Sequence, residues 1–154
     1  MKIVRILFLE DFAFEEDQSL SSFSNLLWLQ EYIKIEIRPA WVFGKEMLFE
    51  KIIENLSWLR NGDVIFLSSH GSSGKLFVGQ SVINLDMIST NISRRGKGVR
   101  LFISSCAFFD IAFSELDRLQ KSTLFYEIAG YLDNVSMKRD FRFEREFLLN
   151  WLGE

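Results

Sequence analysis

Asp63-Val-Ile-Phe-Leu-Ser-Ser-His70-Gly71 and Val99-Arg-Leu-Phe-Ile-Ser-Ser-Cys106 share one layout: an apolar run of strand length, two serines, then the chain's only His or its only Cys. Around them, further apolar runs of strand length alternate with stretches of helical periodicity, the signature of βαβ units and a mainly parallel sheet. Five strands follow: Lys2 to Leu9, about Ile33 to Arg38, Asp63 to Ser69, Val99 to Ser105, and about Thr123 to Ala129. The expected architecture is therefore an α/β domain spanning residues 1–154, three-layered, with a sheet of about five or six strands flanked by helices.

The helices are read from spacing. Ser19 to Tyr32 places Leu20, Phe23 and Leu27 on one face and predicts a crossover helix. Lys45 to Arg60 repeats the pattern through Leu48, Phe49, Ile52, Ile53, Leu56 and Leu59 and is expected to stop at Asn61-Gly62. After the third strand, Gly71-Ser-Ser-Gly74 reads as a loop. Leu76-Phe-Val78 and Ser81-Val-Ile83 flank Gly79-Gln80 as a small hairpin. Asp86 is placed to cap a short helix to about Ser93, and helices from about Ile111 to Gln120 and Lys138 to Leu152 flank the last strand.

Composition narrows the function. With 48% of residues hydrophobic, 16 Phe and one Pro in 154 residues, the chain can bury a large core without staples. Eighteen basic against 21 acidic residues, net −3, give no reason to expect nucleic acid or a membrane surface as partner. Arg94, Arg95 and Lys97 read as a solvated loop. The N-terminal apolar stretch is too short to span a bilayer and precedes no cleavage site, and one unpaired Cys suits a reducing compartment, so a cytoplasmic location is expected. Gly71-Ser-Ser-Gly74-Lys75 lacks phosphate-loop spacing, one His and one Cys make no zinc cluster, and no serine-hydrolase elbow occurs, so neither metal nor cofactor is expected.

In open parallel sheets, reactive groups gather beyond the carboxyl ends of the strands. His70 and Cys106 both fall there. If their strands are neighbours, with axes about 5 Å apart, the two side chains can meet across the rim. A thiol beside an imidazole is the minimum for covalent acyl transfer, and the N–H groups of Gly71 and Cys106 are candidate oxyanion donors. The alternative is a buried, inert thiol and a hydrogen-bonded rim histidine. Spacing and topology do not separate the two.

The ordered set of motifs resembles the caspase-like cysteine peptidases, with closest likeness to the bacterial CHAT-like domains. The His70-Gly71 and Cys106 strand ends are similar to theirs. So are the hairpin Gly74-Lys-Leu-Phe-Val-Gly79 with Val82-Ile-Asn-Leu-Asp86, and the strand Ile128-Ala-Gly-Tyr131. The resemblance implies a caspase-like fold and a thiol endopeptidase, with Cys106 as nucleophile, His70 as acid/base, a protein or peptide substrate, no cofactor, and a regulatory partner encoded nearby. The sequence departs from true caspases: Cys106 is followed by Ala107-Phe108, and the His-to-Cys spacing falls short of the usual separation of about fifty residues. Cleavage after Asp is not implied. In the acidic loop after strand one, Asp11 and Glu16, together with the later Asp133, are candidates to receive an Arg or Lys of the substrate, a solvated acidic loop being the simpler alternative. The rival function is a catalytically inactive caspase-like docking module; a receiver-like or flavodoxin-like ligand scaffold is a third reading.

Overall fold

The computed structural model describes residues 2–16, 21–91, 98–105, 108, 110–112, 114–115, 117–118, 127–130 and 137–153. Five strands form the main sheet: β1 (Val4–Asp11), β2 (Ile35–Val42), β3 (Val64–Ser68), β7 (Arg100–Ser104) and β8 (Glu127–Gly130). Their order is β2-β1-β3-β7-β8, and every neighbouring pair is parallel. A second, antiparallel sheet is made by β4 (His70–Ser72), β5 (Lys75–Val78) and β6 (Ser81–Asn84). The helices are α1 (Ala13–Glu16), α2 (Phe23–Leu29), α3 (Lys45–Asn55), α4 (Leu85–Asn91) and α5 (Met137–Leu152).

Strand pleating divides the core in two. Even-numbered residues Ile6, Phe8, Val64, Phe66 and Phe102 face Leu26 and Leu29 of α2 and Leu148, Trp151 and Leu152 of α5. Odd-numbered residues Leu7, Leu9, Ile65, Leu67, Leu101 and Ile103 face Leu48 and Ile52 of α3, Ile88 of α4, and Leu76, Val78 and Ile83 of the small sheet. The result is three layers. Because both faces are covered, Ile6 to Leu9 of β1 and Val64 to Leu67 of β3 read as unbroken apolar runs. Phe8, Phe66 and Phe102 stand in register on adjacent strands, with ring centroids 5.3 and 4.9 Å apart. At the opposite end of the sheet, buried Asp63 accepts the N–H of Arg5 at 3.0 Å and of Arg60 at 2.6 Å, locking the entry to β3.

Several expectations need correction. β1 and β2 each run past their expected ends, to Asp11 and Val42, because ladder pairing continues there: Glu10 faces Trp41 and Asp11 faces Val42. In α2 the buried residues are Asn25, Leu26 and Leu29; of the expected face, Phe23 packs on the core as expected, Leu27 is 48% exposed and corrects the reading, and Leu20 lies outside the described residues. The periodicity misleads because polar Asn25 occupies the inward stripe, donating to Glu144 at 2.9 Å. Helix α3 ends at Asn55, short of Asn61-Gly62, and Ile53 is exposed, off the face that buries Leu48 and Ile52; Asn55 turns its side-chain amide onto the Lys51 carbonyl at 2.7 Å, and Gly62, at φ 87°, serves the later turn into β3. Asn84, rather than Asp86, caps α4, its Oδ1 accepting the Met87 N–H at 2.9 Å. The segment 71–74 is strand and turn rather than loop, which gives the hairpin a third strand.

Thr123 to Tyr126 of the fifth expected strand, Arg94, Arg95 and Lys97, and parts of the expected Ile111-to-Gln120 helix lie outside the described residues. Among the described residues, no helix is long and apolar enough to cross a membrane.

Candidate functional site

Strands β3 and β7 are direct neighbours, and their last residues, Ser68 and Ser104, stand opposite each other. The pairing extends one step further, since the Ser69 N–H donates to the Ser104 carbonyl at 3.3 Å. From there the chain passes straight into β4, making His70 its first residue. His70 is opposite Phe77 on β5, on the outward face of the small sheet, and is exposed. Its ring meets that of Phe14 edge-to-face, centroids 4.8 Å apart at 87°. Phe14 is itself buried, so α1 supplies a fixed wall against which the imidazole rests.

Gly71 is the next residue. A Cβ there would overlap Ser105 Oγ and lie 2.6 Å from the Lys75 carbonyl oxygen, so β4 can pass between β5 and the end of β7 only without a side chain. The turn beyond it, Ser73-Gly74, has φ 43° and 82°, the positive pair that a type I′ hairpin turn uses. Ser72 and Lys75 flank this turn. Hydrogen-bonded and open pairs alternate along an antiparallel ladder, so Gly71, one step back, turns its N–H away from β5.

Cys106 and Ala107 lie outside the described residues. The described residues that bracket them both touch the hairpin. Ser105, fully buried, packs against Gly71, and the Phe108 carbonyl accepts the Gly74 N–H at 2.6 Å. Among the described residues Ser105 Oγ has no hydrogen-bond partner, which for a buried hydroxyl is costly.

Of the three candidate acids, Asp133 lies outside the described residues, as does the Glu16 side chain at the end of α1. Asp11 is at the rim but only 7% exposed, and its carboxylate accepts the Gly79 N–H at 3.2 Å, fastening the β5–β6 turn to the sheet.

A network that the sequence reading missed runs beneath this rim. Glu10, Ser68 and Ser104 form one register row across β1, β3 and β7, with Trp41 of β2 beside Glu10. Glu10 is wholly buried and accepts four hydrogen bonds. Oε1 takes Ser21 Oγ at 2.6 Å and Trp41 Nε1 at 2.9 Å; Oε2 takes the Ser22 N–H at 2.9 Å and Ser68 Oγ at 2.8 Å. Ser22 Oγ lies 2.9 Å from Ser104 Oγ, which donates to Glu144 Oε2 at 2.8 Å. The available signal was a carboxylate at the same pleat phase as the serines that end two apolar strands.

A hollow of about 500 Å3 lined by Lys2, Lys34, Asp63, Arg100 and Glu127 opens at the amino ends of the strands, on the far side from His70. It is remote from the rim where parallel sheets place their chemistry. Among the described residues, no group of three or more His, Cys, Asp or Glu side chains converges as a metal site would need. Comparison with models of known protein families finds no match for this chain, and comparison with curated proteins finds none.

Proposed function

We propose that this protein is a caspase-like cysteine endopeptidase acting on a protein or peptide substrate, with Cys106 as nucleophile and His70 as acid/base. The observation that carries the reading is the adjacency of β3 and β7, whose last residues, Ser68 and Ser104, stand opposite each other two places before His70 and Cys106 in the sequence. Further support comes from the contact of Gly71 with Ser105, the residue before Cys106.

In this reading the Cys106 proton passes to His70 and the thiolate attacks the scissile carbonyl carbon. The oxyanion accepts hydrogen bonds from backbone N–H groups, for which Gly71, facing away from β5, and Cys106 are the candidates. As the C–N bond breaks, His70 returns the proton to the departing amine. Water, deprotonated by His70, then hydrolyses the thioester and frees the acid product. Each step uses side chains or backbone of this chain, so the reading calls for no cofactor. A substrate Arg or Lys beside the scissile bond belongs to the proposal through Glu16 and Asp133, since the largely buried Asp11 carboxylate is engaged by the Gly79 N–H. A cytoplasmic location and a regulatory partner belong to it on the same footing.

The test is a fluorogenic peptide panel on the full chain with Cys106→Ala and His70→Ala as controls. Cleavage that disappears in both variants, while their circular dichroism matches the wild type, supports the peptidase. Cleavage that persists in Cys106→Ala removes it, and an inert thiol in the wild type favours the docking module. Preference for acidic or neutral residues at the cleavage site would discard the acidic subsite alone.

A further inference from the structure

We infer that Glu10 is a positioning residue for the His70–Cys106 pair, acting through the serine that stands two places before each. The inference rests on the peptidase reading and deepens it. Burying a carboxylate is expensive unless its lone pairs are met, and here all four donors are neutral. Two of these bonds reach the candidate site. Ser68, held by Oε2 at 2.8 Å, is the last residue of β3 and is separated from His70 by Ser69 alone. Ser22, whose N–H is fixed by the same oxygen, reaches Ser104 Oγ at 2.9 Å, and Ser104 leads through Ser105 to Cys106.

The hydroxyl directions follow from donor counting. Ser104 has one hydroxyl proton and gives it to Glu144, so Ser22 must be the donor to Ser104. Glu10 thus orients Ser22, which orients Ser104, while it holds Ser68 directly. One carboxylate sets both strand ends. A glutamine cannot replace it. Oε1 faces the Trp41 N–H and Oε2 faces the Ser22 N–H, so an amide NH2 on either side meets a group that can only donate.

The test uses the chain's single thiol as its own reporter. The rate of Cys106 alkylation by iodoacetamide is followed from acid to alkaline pH in wild type, His70→Ala, Glu10→Gln, Ser68→Ala and the His70→Ala/Glu10→Gln double variant, with thermal melts of each. The wild type should react with an inflection below the ordinary thiol value of about 8.5, and His70→Ala should return to it. Glu10→Gln should shift the profile towards that of His70→Ala and slow alkylation at neutral pH severalfold, in step with the smaller thiolate fraction. Added to His70→Ala, it should change nothing more, which a merely structural role would not produce. Ser68→Ala leaves Glu10 three donors and should shift the profile the same way, less far; it decides the matter if Glu10→Gln fails to fold. Wild-type profiles in folded Glu10→Gln and Ser68→Ala would overturn the positioning role alone. A wild type indistinguishable from His70→Ala would overturn the dyad and this inference with it.

Discussion

Replacing Gly71 by Ala tests the packing that brings β4 against the end of β7. The backbone at Gly71 has no positive φ, so ordinary conformational strain is not the issue. The new Cβ would lie 2.6 Å from the Lys75 carbonyl oxygen, about 0.8 Å inside the shortest ordinary contact. It would also overlap Ser105 Oγ. That hydroxyl can rotate away, but the Lys75 carbonyl belongs to the paired strand and moves only if β4 and β5 separate. Overpacking of this kind costs about 1–3 kcal/mol, offset by about 0.4–1 kcal/mol because alanine restricts the unfolded chain. At about 2–4 °C per kcal/mol for a domain of this size, thermal unfolding followed by circular dichroism should show Tm falling by several degrees. Ser105→Ala alone removes a buried hydroxyl that has no partner among the described residues and should raise Tm. Combined with Gly71→Ala it should restore only part of the loss, since the carbonyl obstruction remains. A Gly71→Ala protein melting at or above wild type would refute the close approach.

Two other expectations follow from the packing and the surface charges. Phe66 is fully buried between Phe8 and Phe102, so Phe66→Ala should lower the free energy of unfolding in urea by about 3–5 kcal/mol; a loss near 1 kcal/mol would mean the aromatic row does not centre the core. Hydrogen bonding and charge from Arg118 hold Glu115 below its usual 4.5, so the pair's contribution is present above that value and is lost as pH falls through the lowered one. Both partners are solvent-exposed, so Glu115→Gln should leave Tm at neutral pH unchanged within error, and a clear drop would contradict a screened surface pair.

The sequence made the α/β class, the sheet strands and the hairpin legible, because central strands such as β3, buried on both faces, must be apolar and the intervening helices must carry a 3.6-residue stripe. It failed where polar residues face inward. Asn25 sits in the buried stripe of α2 and sent the reading to Leu27, while Glu10, at a strand end, looked like the start of an acidic loop. A buried polar group is tolerated only by partners distant in the chain: Glu144 for Asn25, and Ser21, Ser22, Trp41 and Ser68 for Glu10. Local pattern carries no record of them.

The same division holds for the candidate site. That His70 and Cys106 each follow an apolar run and two serines is written in the chain itself. That those strands are neighbours, that His70 opens a third hairpin strand and rests on Phe14, and that Asp11 is occupied by the Gly79 N–H were decided by tertiary structure. Periodicity specifies which face of an element is apolar; which elements meet depends on contacts between residues far apart in sequence, and these form only when the whole sheet assembles.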